Sequence, residues 1–275
     1  MIRGVAVGVG SGVIGATRSV RGWFSAVLHG LGSYILFNAE VVRAFFSPPF
    51  ESRMVVRQMY EIGVMSLPIC LLTSFFVGMV LALQTGYASI AVLNEPVNVG
   101  TVVTFSLLKE LGPMLTSVVL VGRIGAAITA ELGSMSVTEQ IDAMYTLGTD
   151  PVKYLIVPRL LAFSLMLPLL VVFTNMVGVA GGMLVSAQEP MYTPYTIYWE
   201  DSLQYLRIGD FFHGFIKAGV FGIMIATIAC YKGFHTGGGA EGVGRATTDS
   251  VVTSIAMLLI GDFFLSSLLI ALRIG

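Results

Sequence analysis

Five long stretches of this chain carry almost no charge, and this feature limits its possible folds more than any other. An α-helix needs about 20 mostly apolar residues to cross a bilayer. The stretches predict membrane-spanning helices over residues 60–86, 99–127, 156–186, 210–231 and 250–272. Runs of this length favour helix over buried strand. The sequence therefore predicts an all-α membrane protein.

The overall composition agrees with this prediction. Only 11% of the 275 residues are charged and 55% are hydrophobic, whereas a soluble domain is about 25% charged. So few charges cannot cover a water-exposed surface, which excludes soluble enzymes and disordered proteins. The net charge of −1 provides no general attraction for nucleic acid, and no nucleic-acid partner is expected.

The region before the first span differs from the spans in its polar content. Residues 1–20 are predicted to be a tail. Residues 22–39 are uncharged but rich in glycine and polar residues, and Pro48 and Pro49 follow. This pattern predicts an interfacial or re-entrant helix within residues 21–49, with a sixth span as the alternative. Residues 50–275 form the predicted five-span domain.

The basic residues predict the orientation of the chain. Eleven of the 15 lie before the first span or in the second and fourth connections on the same side: Arg3, Arg18, Arg21, Arg43, Arg53, Arg57, Arg123, Lys153, Arg159, Lys232 and Arg245. Only Arg207 and Arg273 lie on the other side. Because basic residues accumulate on the cytoplasmic side, we expect a cytoplasmic N-terminus and a periplasmic or outer C-terminus.

Several kinds of active site are absent from the sequence. No lysine follows a glycine, so the chain has no P-loop for ATP. Cys70 and Cys230 lie in apolar runs without a second nearby cysteine, which predicts buried side chains and no metal site. The glycine-rich segment 237–244 is predicted to be a flexible loop between spans. No catalytic residue is predicted.

The connection between the second and third spans contains a predicted short helix. Ser136 and Glu139 have the spacing of a capping box, and Gly148 is typical of a helix C-terminus. The predicted helix covers residues 137–147. It is either a surface helix that packs on its own bundle or a lever that a cytosolic partner moves.

Four segments of the chain resemble the MlaE/YrbE family, which comprises ABC-transporter permeases of MCE lipid-transport systems. The main segment is SLLKELGPMLTSVVLVGRIGAAITAELGSMSVTEQIDAMYTLGTDPVKYLIVPR, at 106–159. Before it come RQMYEIGVMSLPI and FFVGMVLALQ, and after it comes GVGRATTDSVV. The resemblance covers about residues 50–272.

The resemblance implies partners for a multi-pass protein of the bacterial inner membrane. They are a second permease copy (the same chain or a close paralogue), a cytosolic ATPase dimer that uses ATP and Mg²⁺, an outer ring of MCE proteins, and lipid held between the two permeases. The chain itself is expected to bind no cofactor. The implied ATPase-coupling residues lie in or beside the short helix: Glu131, Glu139, Gln140, Ile141, Asp142, Met144, Gly148 and Pro151.

Four charged residues lie inside the predicted spans and away from their ends: Lys109, Glu110, Lys217 and Asp262. A charge at the bilayer centre costs roughly 2.5–3.5 kcal/mol on insertion scales, so each needs a partner or a function. Neighbouring residues on a helix diverge by about 100°, so Lys109 and Glu110 need not pair with each other. Pro113 is expected to bend the second span beside them. The alternatives are internal pairing or a lipid-cavity wall.

The resemblance favours a lipid-cavity role for Lys109, Glu110 and, with less support, Lys217. Asp262 is expected to be structural. The candidate apolar lining is Leu81, Leu83, Tyr87 and Leu108.

Two further patterns each have two interpretations. The small-residue pairs Gly122–Ala126 and Gly178–Gly182 permit close approach of helices, either within one chain or at a dimer seam. The aromatic connection 188–209 is either an interfacial belt or a docking surface for an outer partner.

The predicted function is that of a non-catalytic permease subunit that moves lipids, with phospholipids expected, while a separate subunit hydrolyses ATP. The alternatives are an ATP-independent secondary transporter that uses the embedded charges for ion coupling and a membrane scaffold for an MCE ring.

Overall fold

The computed structural model describes residues 28, 30–46, 52–89, 98–188, 193–204 and 206–273. These residues form helices and no strand. The helices are α1 at 30–45, α2 (Ser52–Ala88), α3 (Val99–Val137), α4 (Gln140–Thr146), α5 (Val152–Ser186), α6 (Tyr195–Gln204), α7 (Ile208–Phe234) and α8 (Gly239–Ala271). Five of them, α2, α3, α5, α7 and α8, are long and apolar enough to cross a membrane. The prediction of an all-α protein with five spans is confirmed.

The described residues divide into two units, one within Met1–Pro48 and one within Pro49–Gly275. Helix α1 is the described part of the first unit, and Phe37, Val41 and Ala44 are buried on one of its faces. The predicted tail at 1–20 and the start of the predicted interfacial helix lie outside the described residues.

Several helices of the second unit extend beyond the predicted apolar windows. Helix α2 begins at Ser52, α3 continues to Val137, and α8 begins at Gly239. The prediction of a flexible glycine-rich loop is therefore wrong for most of 237–244. Gly242 is part of α8 and lies against the carbonyl of Gly237, where a side chain would collide.

Helices α5 and α7 form the centre of the second unit, while α2 and α8 expose most of their apolar residues. Helix α2 packs along α5. Gly78 and Gly178 meet there so closely that a side chain on Gly78 would collide with the backbone of Gly178. The Gly178–Gly182 pair therefore serves packing within one chain. Gly122 has no described neighbour within 4 Å of the position a Cβ would occupy.

The aromatic connection after α5 contains helix α6, which packs against the first part of α3. Tyr198 is fully buried, whereas Tyr195 and Trp199 are exposed. The Thr101 hydroxyl on α3 donates to the Asp201 carbonyl on α6 at 2.7 Å. Since Tyr198 lies in the core, the connection is part of the fold and more than a belt of surface aromatics.

Candidate functional site

A local change of helix geometry in α3 opens a polar site inside the membrane-spanning bundle. Residues Leu107–Leu111 form a π turn, in which the Gly112 amide donates to the Leu107 carbonyl five residues earlier. The next residue after Gly112 is Pro113, which has no N–H to donate to the carbonyl of Lys109. Such π turns inside α-helices occur often at functional sites.

Helix α7 contacts the two backbone carbonyls that this geometry exposes. Gly214 lies against the carbonyl oxygen of Leu108, where any side chain would collide. One turn further along α7, the ammonium of Lys217 donates to the carbonyl of Lys109 at 3.2 Å. Lys217 therefore supplies the hydrogen bond that Pro113 cannot.

The Lys217 ammonium is also the centre of a charged cluster. Its side chain is 0% exposed, and its Nζ lies 2.5 Å from Glu110 Oε2 and 2.6 Å from Asp262 Oδ1. It donates to the Ser266 hydroxyl at 2.9 Å, and that hydroxyl donates to Glu110 Oε1 at 3.0 Å. These contacts join α3, α7 and α8 through one side chain.

Lys109 forms a second ion pair beside the first. Its Nζ lies 2.7 Å from Asp210 Oδ1 and 4.7 Å from the centre of the Phe105 ring. The other carboxylate oxygen of Asp210 accepts the Arg207 amide at 2.9 Å, which caps the start of α7. The Lys109 side chain is 24% exposed, so it is the more accessible of the two lysines.

The structure thus brings Lys109, Glu110 and Lys217 together, with Asp262 bonded into the same cluster. Lys109 and Glu110 pair with different partners, as their divergence on the helix predicts. Asp210 belongs to the cluster and was missed by the sequence analysis, because it lies at the edge of an apolar window. The sequence pattern that could have identified Asp210 is an acidic residue three positions after Arg207, at the start of a helix. With two lysines and three carboxylates, the cluster has one negative charge in excess when all five are ionised.

A cavity of about 470 Å³ lies between α3, α5, α6 and the start of α7. Its lining residues are Thr104, Leu108, Val172, Asn175, Met176, Val179, Ala180, Trp199, Ser202, Leu203, Leu206 and Phe211. Leu108 is the one candidate lining residue from the sequence analysis that lines it. Leu81 packs against a buried apolar cluster of α2, α3, α5 and α6, while Leu83 and Tyr87 are exposed on α2.

The predicted coupling helix is shorter than expected, and its predicted capping box is wrong. Helix α3 continues to Val137, so α4 begins only at Gln140. The Ser136 hydroxyl donates to the Thr236 carbonyl at 3.0 Å and caps nothing in α4. Glu139 has a φ of 58°, and this left-handed residue turns the chain between α3 and α4.

Helix α4 presents a polar surface and buries one apolar side chain. Ile141 is buried and Met144 is half-buried, while Glu139, Gln140 and Asp142 are exposed. These three exposed side chains are accessible to a protein that binds at this end of the bundle.

The end of α4 is fixed by main-chain geometry. Gly148 has a φ of +74°, which glycine adopts without steric cost. The amides of Gly148 and Thr149 donate to the carbonyls of Tyr145 and Met144 at 3.0 Å each, the pattern of a Schellman motif. The sequence prediction of Gly148 as the residue after the helix agrees with this.

Two of the other proposed coupling residues contact the start of α5. Glu131 Oε2 lies 2.8 Å from Nη2 of Arg159, whose side chain is only 3% exposed. Pro151 directly precedes α5, where the Asp150 carboxylate accepts the Val152 amide at 2.9 Å. Glu131 therefore takes part in an ion pair between α3 and α5, and Pro151 lies at the start of α5.

Comparison with known proteins identifies the family. Residues 55–268 match the family described as "Permease MlaE". A "Probable ABC transporter permease protein" of Rickettsia felis is 43% identical over 238 residues, which cover 86% of this chain and 91% of the relative. One of Synechocystis is 39% identical over 255 residues, covering 93% and 95%.

A plant relative is similar over a smaller share of its own length. "Protein TRIGALACTOSYLDIACYLGLYCEROL 1, chloroplastic" of Arabidopsis thaliana is 39% identical over 233 residues, covering 84% of this chain and 66% of the relative. The family match covers most of the chain, and the bacterial relatives match it over nearly their whole length. The chain therefore belongs to the MlaE permease family of ABC transporters.

Proposed function

We propose that this chain moves lipid across or out of a bacterial inner membrane while a separate cytosolic ATPase dimer binds and hydrolyses ATP with Mg²⁺. The chain is the non-catalytic permease half, binds no cofactor itself and works beside a second permease copy. Its cytoplasmic end carries α4, and its outer end faces a ring of MCE proteins. Family membership and the names of the bacterial relatives support the ATPase partner. The glycerolipid in the plant relative's name supports the lipid substrate.

The observation that carries the proposal is the Lys217 cluster, in which α3 contributes Glu110 and the carbonyl of Lys109. The cluster joins three spans through charges that are expensive to keep in a bilayer. From Glu110 to Val137, α3 runs for about 40 Å at 1.5 Å per residue and ends beside α4. A force applied to α4 therefore reaches the helix that holds Lys109 and Glu110.

The second π turn of α3, at Val121–Gly125, lies between these two ends. A helix with two such turns has local positions where its bonding pattern can change without unfolding. In the proposed cycle, ATP hydrolysis moves α4 and α3, and the ion pairs of Lys109 and Lys217 rearrange. Lys109 then exchanges Asp210 for the phosphate or carboxylate of a lipid headgroup, which its partial exposure permits.

The experiment is ATP-driven transfer of a fluorescent phosphatidylethanolamine by the permease–ATPase complex in vesicles. The variant Glu110→Gln keeps the shape of the side chain and removes its charge, and we expect the transfer rate to fall about tenfold or more. This corresponds to the loss of one charge-assisted contact of roughly 1.5–3 kcal/mol. The control is Glu61→Gln, which changes an exposed glutamate on α2. Equal rates for both variants would contradict a role for the cluster.

The excess negative charge of the cluster favours one second candidate, a transporter coupled to a proton or cation gradient. This candidate predicts transfer that follows an imposed gradient without the ATPase and that does not respond to ATP. Transfer of this kind by the chain alone would contradict the ATP-driven proposal.

A further inference from the structure

The cavity between α3, α5 and α6 has the lining of a binding site for a hydrocarbon chain. Nine of its twelve lining residues are apolar, and none carries a charge. Its volume of about 470 Å³ lies within the range of small-molecule sites, roughly 300–1,000 Å³. A charged or strongly polar ligand would lose its hydration there without compensation, so the lining selects an apolar occupant.

The cavity opens at the outside of the bundle, beside exposed apolar side chains. Met176 is 66% exposed, and Trp199 and Leu203 at the rim are about half exposed. The cavity borders α3, α5 and α7, which are long and apolar enough to cross a membrane, and in a bilayer the abundant apolar molecule of this shape is an acyl chain.

The wall that α6 supplies is held in place by close backbone contacts. The Tyr198 hydroxyl lies against Gly182, and the Tyr198 backbone carbonyl lies against Gly100. A side chain at either glycine would collide with Tyr198. The Thr101 bond to the Asp201 carbonyl adds a polar tie. Trp199 and Leu203 are therefore presented to the cavity by a fixed helix, which favours a site formed before the ligand arrives.

One polar group at the wall points to the end of the ligand. Other buried threonines on these helices have a hydrogen-bond partner, as Thr129 donates to the Gly125 carbonyl and Thr227 to that of Ile223. Thr104 is 3% exposed, and its hydroxyl has no hydrogen-bond partner among the residues the structure describes. An unpaired buried hydroxyl costs roughly 1–3 kcal/mol. A rotation about χ1 of Thr104 exchanges the positions of its hydroxyl and methyl groups. A ligand carbonyl in the cavity can therefore accept a hydrogen bond from the Thr104 hydroxyl.

We propose that the cavity binds one acyl chain of an ester-linked membrane glycerolipid, with the ester carbonyl at Thr104. Thr104 lies one helical turn nearer the start of α3 than Leu108. The chain therefore enters at the α6 end of the bundle, and its methyl end lies deeper, towards Leu108. The proposal rests on the proposed lipid-handling function, because it names a holding site for the same class of substrate.

The test is photolabelling of the full-length chain in vesicles of phosphatidylethanolamine and phosphatidylglycerol. The probe is a phosphatidylcholine with a diazirine in one acyl chain, and labelled peptides are mapped by mass spectrometry. We expect labelling of α5 and α6 at the lining residues above the level at Phe263, which is 70% exposed on α8 and reports ordinary contact with lipid. Labelling of the lining residues no stronger than at Phe263 would overturn the proposal.

Two variants on one helix test the cavity itself. Ala180→Trp fills it from the α5 wall, and we expect labelling on α6 to fall about tenfold relative to Phe263, the change for about 1.4 kcal/mol. Leu184→Trp places the same side chain one turn further along, outside the lining, and should leave the labelling unchanged. Equal labelling of α6 in both variants would also overturn the proposal.

Thr104→Val tests the position of the ester with almost no change of shape. Loss of one hydrogen bond, about 0.5–1.5 kcal/mol, should lower labelling by the ester-linked probe about two- to tenfold. An ether-linked probe, which lacks the carbonyl, should label both proteins equally. If the variant affects both probes alike, the ester does not lie at Thr104.

The labelling needs no ATPase, so its outcome is separate from the transfer experiment. Labelling that meets these expectations without ATP-driven transfer would support the cavity and contradict the proposed function. Transfer without cavity labelling would overturn only the inference.

Discussion

Two of the lysine and arginine side chains that the structure describes are buried, and their partners lie in different surroundings. Lys217 is 0% exposed, and both of its carboxylate partners belong to membrane-spanning helices. Arg159 is 3% exposed, but its partner Glu131 is 59% exposed at the end of the bundle that carries α4. Glu110 and Asp262 are 44% and 24% exposed within the apolar part of the bundle, whereas Glu131 is exposed at its end, so we expect water to reach the second pair more easily than the first.

The two cations are about equally buried but differ in the exposure of their partners. They therefore test whether the burial of a cation alone sets the free-energy cost of losing its partner. Removing one member of a buried ion pair leaves an uncompensated charge and costs roughly 3–5 kcal/mol, whereas pairs between exposed side chains contribute roughly 0–1 kcal/mol. We expect Lys217 to follow the first rule and Arg159 to lie between the two. The exposed pair of Arg57 and Glu61, at 3.2 Å, provides the lower reference.

The largest effect is expected for Lys217→Met, which leaves Glu110 and Asp262 without their cation. We expect stability to fall by about 3–5 kcal/mol, seen as a clear drop in the thermal midpoint of the detergent-purified chain. Lys232→Met on the same helix is the matched control. A drop no larger than that of the control would remove the distinction between the two buried cations.

A compensated variant sharpens this prediction. The triple variant combines Lys217→Met with Glu110→Gln and Asp262→Asn, so that no charge is left unpaired. We expect most of the lost stability to return, because neutral or apolar replacements of a buried ion group are often tolerated. Lipid transfer should stay low, since the charges themselves are absent. Recovery of both stability and transfer would indicate a purely structural cluster.

The next effect is expected for Asp210→Asn, which removes the charge opposite Lys109. Lys109 is partly exposed and contacts the Phe105 ring, so the loss should be smaller, roughly 1.5–3 kcal/mol for one charge-assisted contact. The thermal midpoint should fall between those of Lys217→Met and wild type. If it falls as far as for Lys217→Met, exposure does not moderate the cost.

A smaller effect is expected for Glu131→Gln. The neutral amide can still accept a hydrogen bond from Arg159, and water reaches the site, so we expect about 1 kcal/mol. Because the pair is near solvent, added salt should reduce the difference between variant and wild type. A salt-independent loss as large as that for Lys217→Met would place Arg159 in the same class as Lys217.

The smallest effect is expected for Arg57→Ala. An exposed i,i+4 pair on a helix contributes about 0.3–0.5 kcal/mol, so the thermal midpoint should be nearly that of wild type. A large drop would mean that α2 depends on this pair in a way its exposure does not suggest.

The five spans and most of the cluster could be predicted because apolar length and embedded charge are both local properties of the sequence. Lys109, Glu110, Lys217 and Asp262 were conspicuous as charges within apolar runs. Asp210 was not, because a carboxylate at the first turn of a span costs little by composition alone. The partners of each charge depend on how α3, α7 and α8 pack, which no local pattern specifies.

The errors in the prediction have the same origin. Ser136 and Glu139 have capping-box spacing, but α3 continues through Ser136, and a left-handed Glu139 makes the turn. Leu81, Leu83 and Tyr87 were predicted to line a lipid cavity between two permease copies, and this stays a prediction; none of the three lines the cavity between α3, α5 and α6. A helix that is apolar on every side gives no indication of which face borders a cavity.

Pro113 has a consequence for how the chain can vary. Because Pro113 has no N–H, it cannot donate to the carbonyl of Lys109, and the Lys217 ammonium on α7 donates to that oxygen instead. If Pro113 were replaced by alanine, a main-chain amide would compete for the same oxygen, and the ammonium would be released towards its two carboxylates. The proline thus makes an internal turn of α3 dependent on α7, so that neither helix can shift alone without breaking a bond that the other cannot replace.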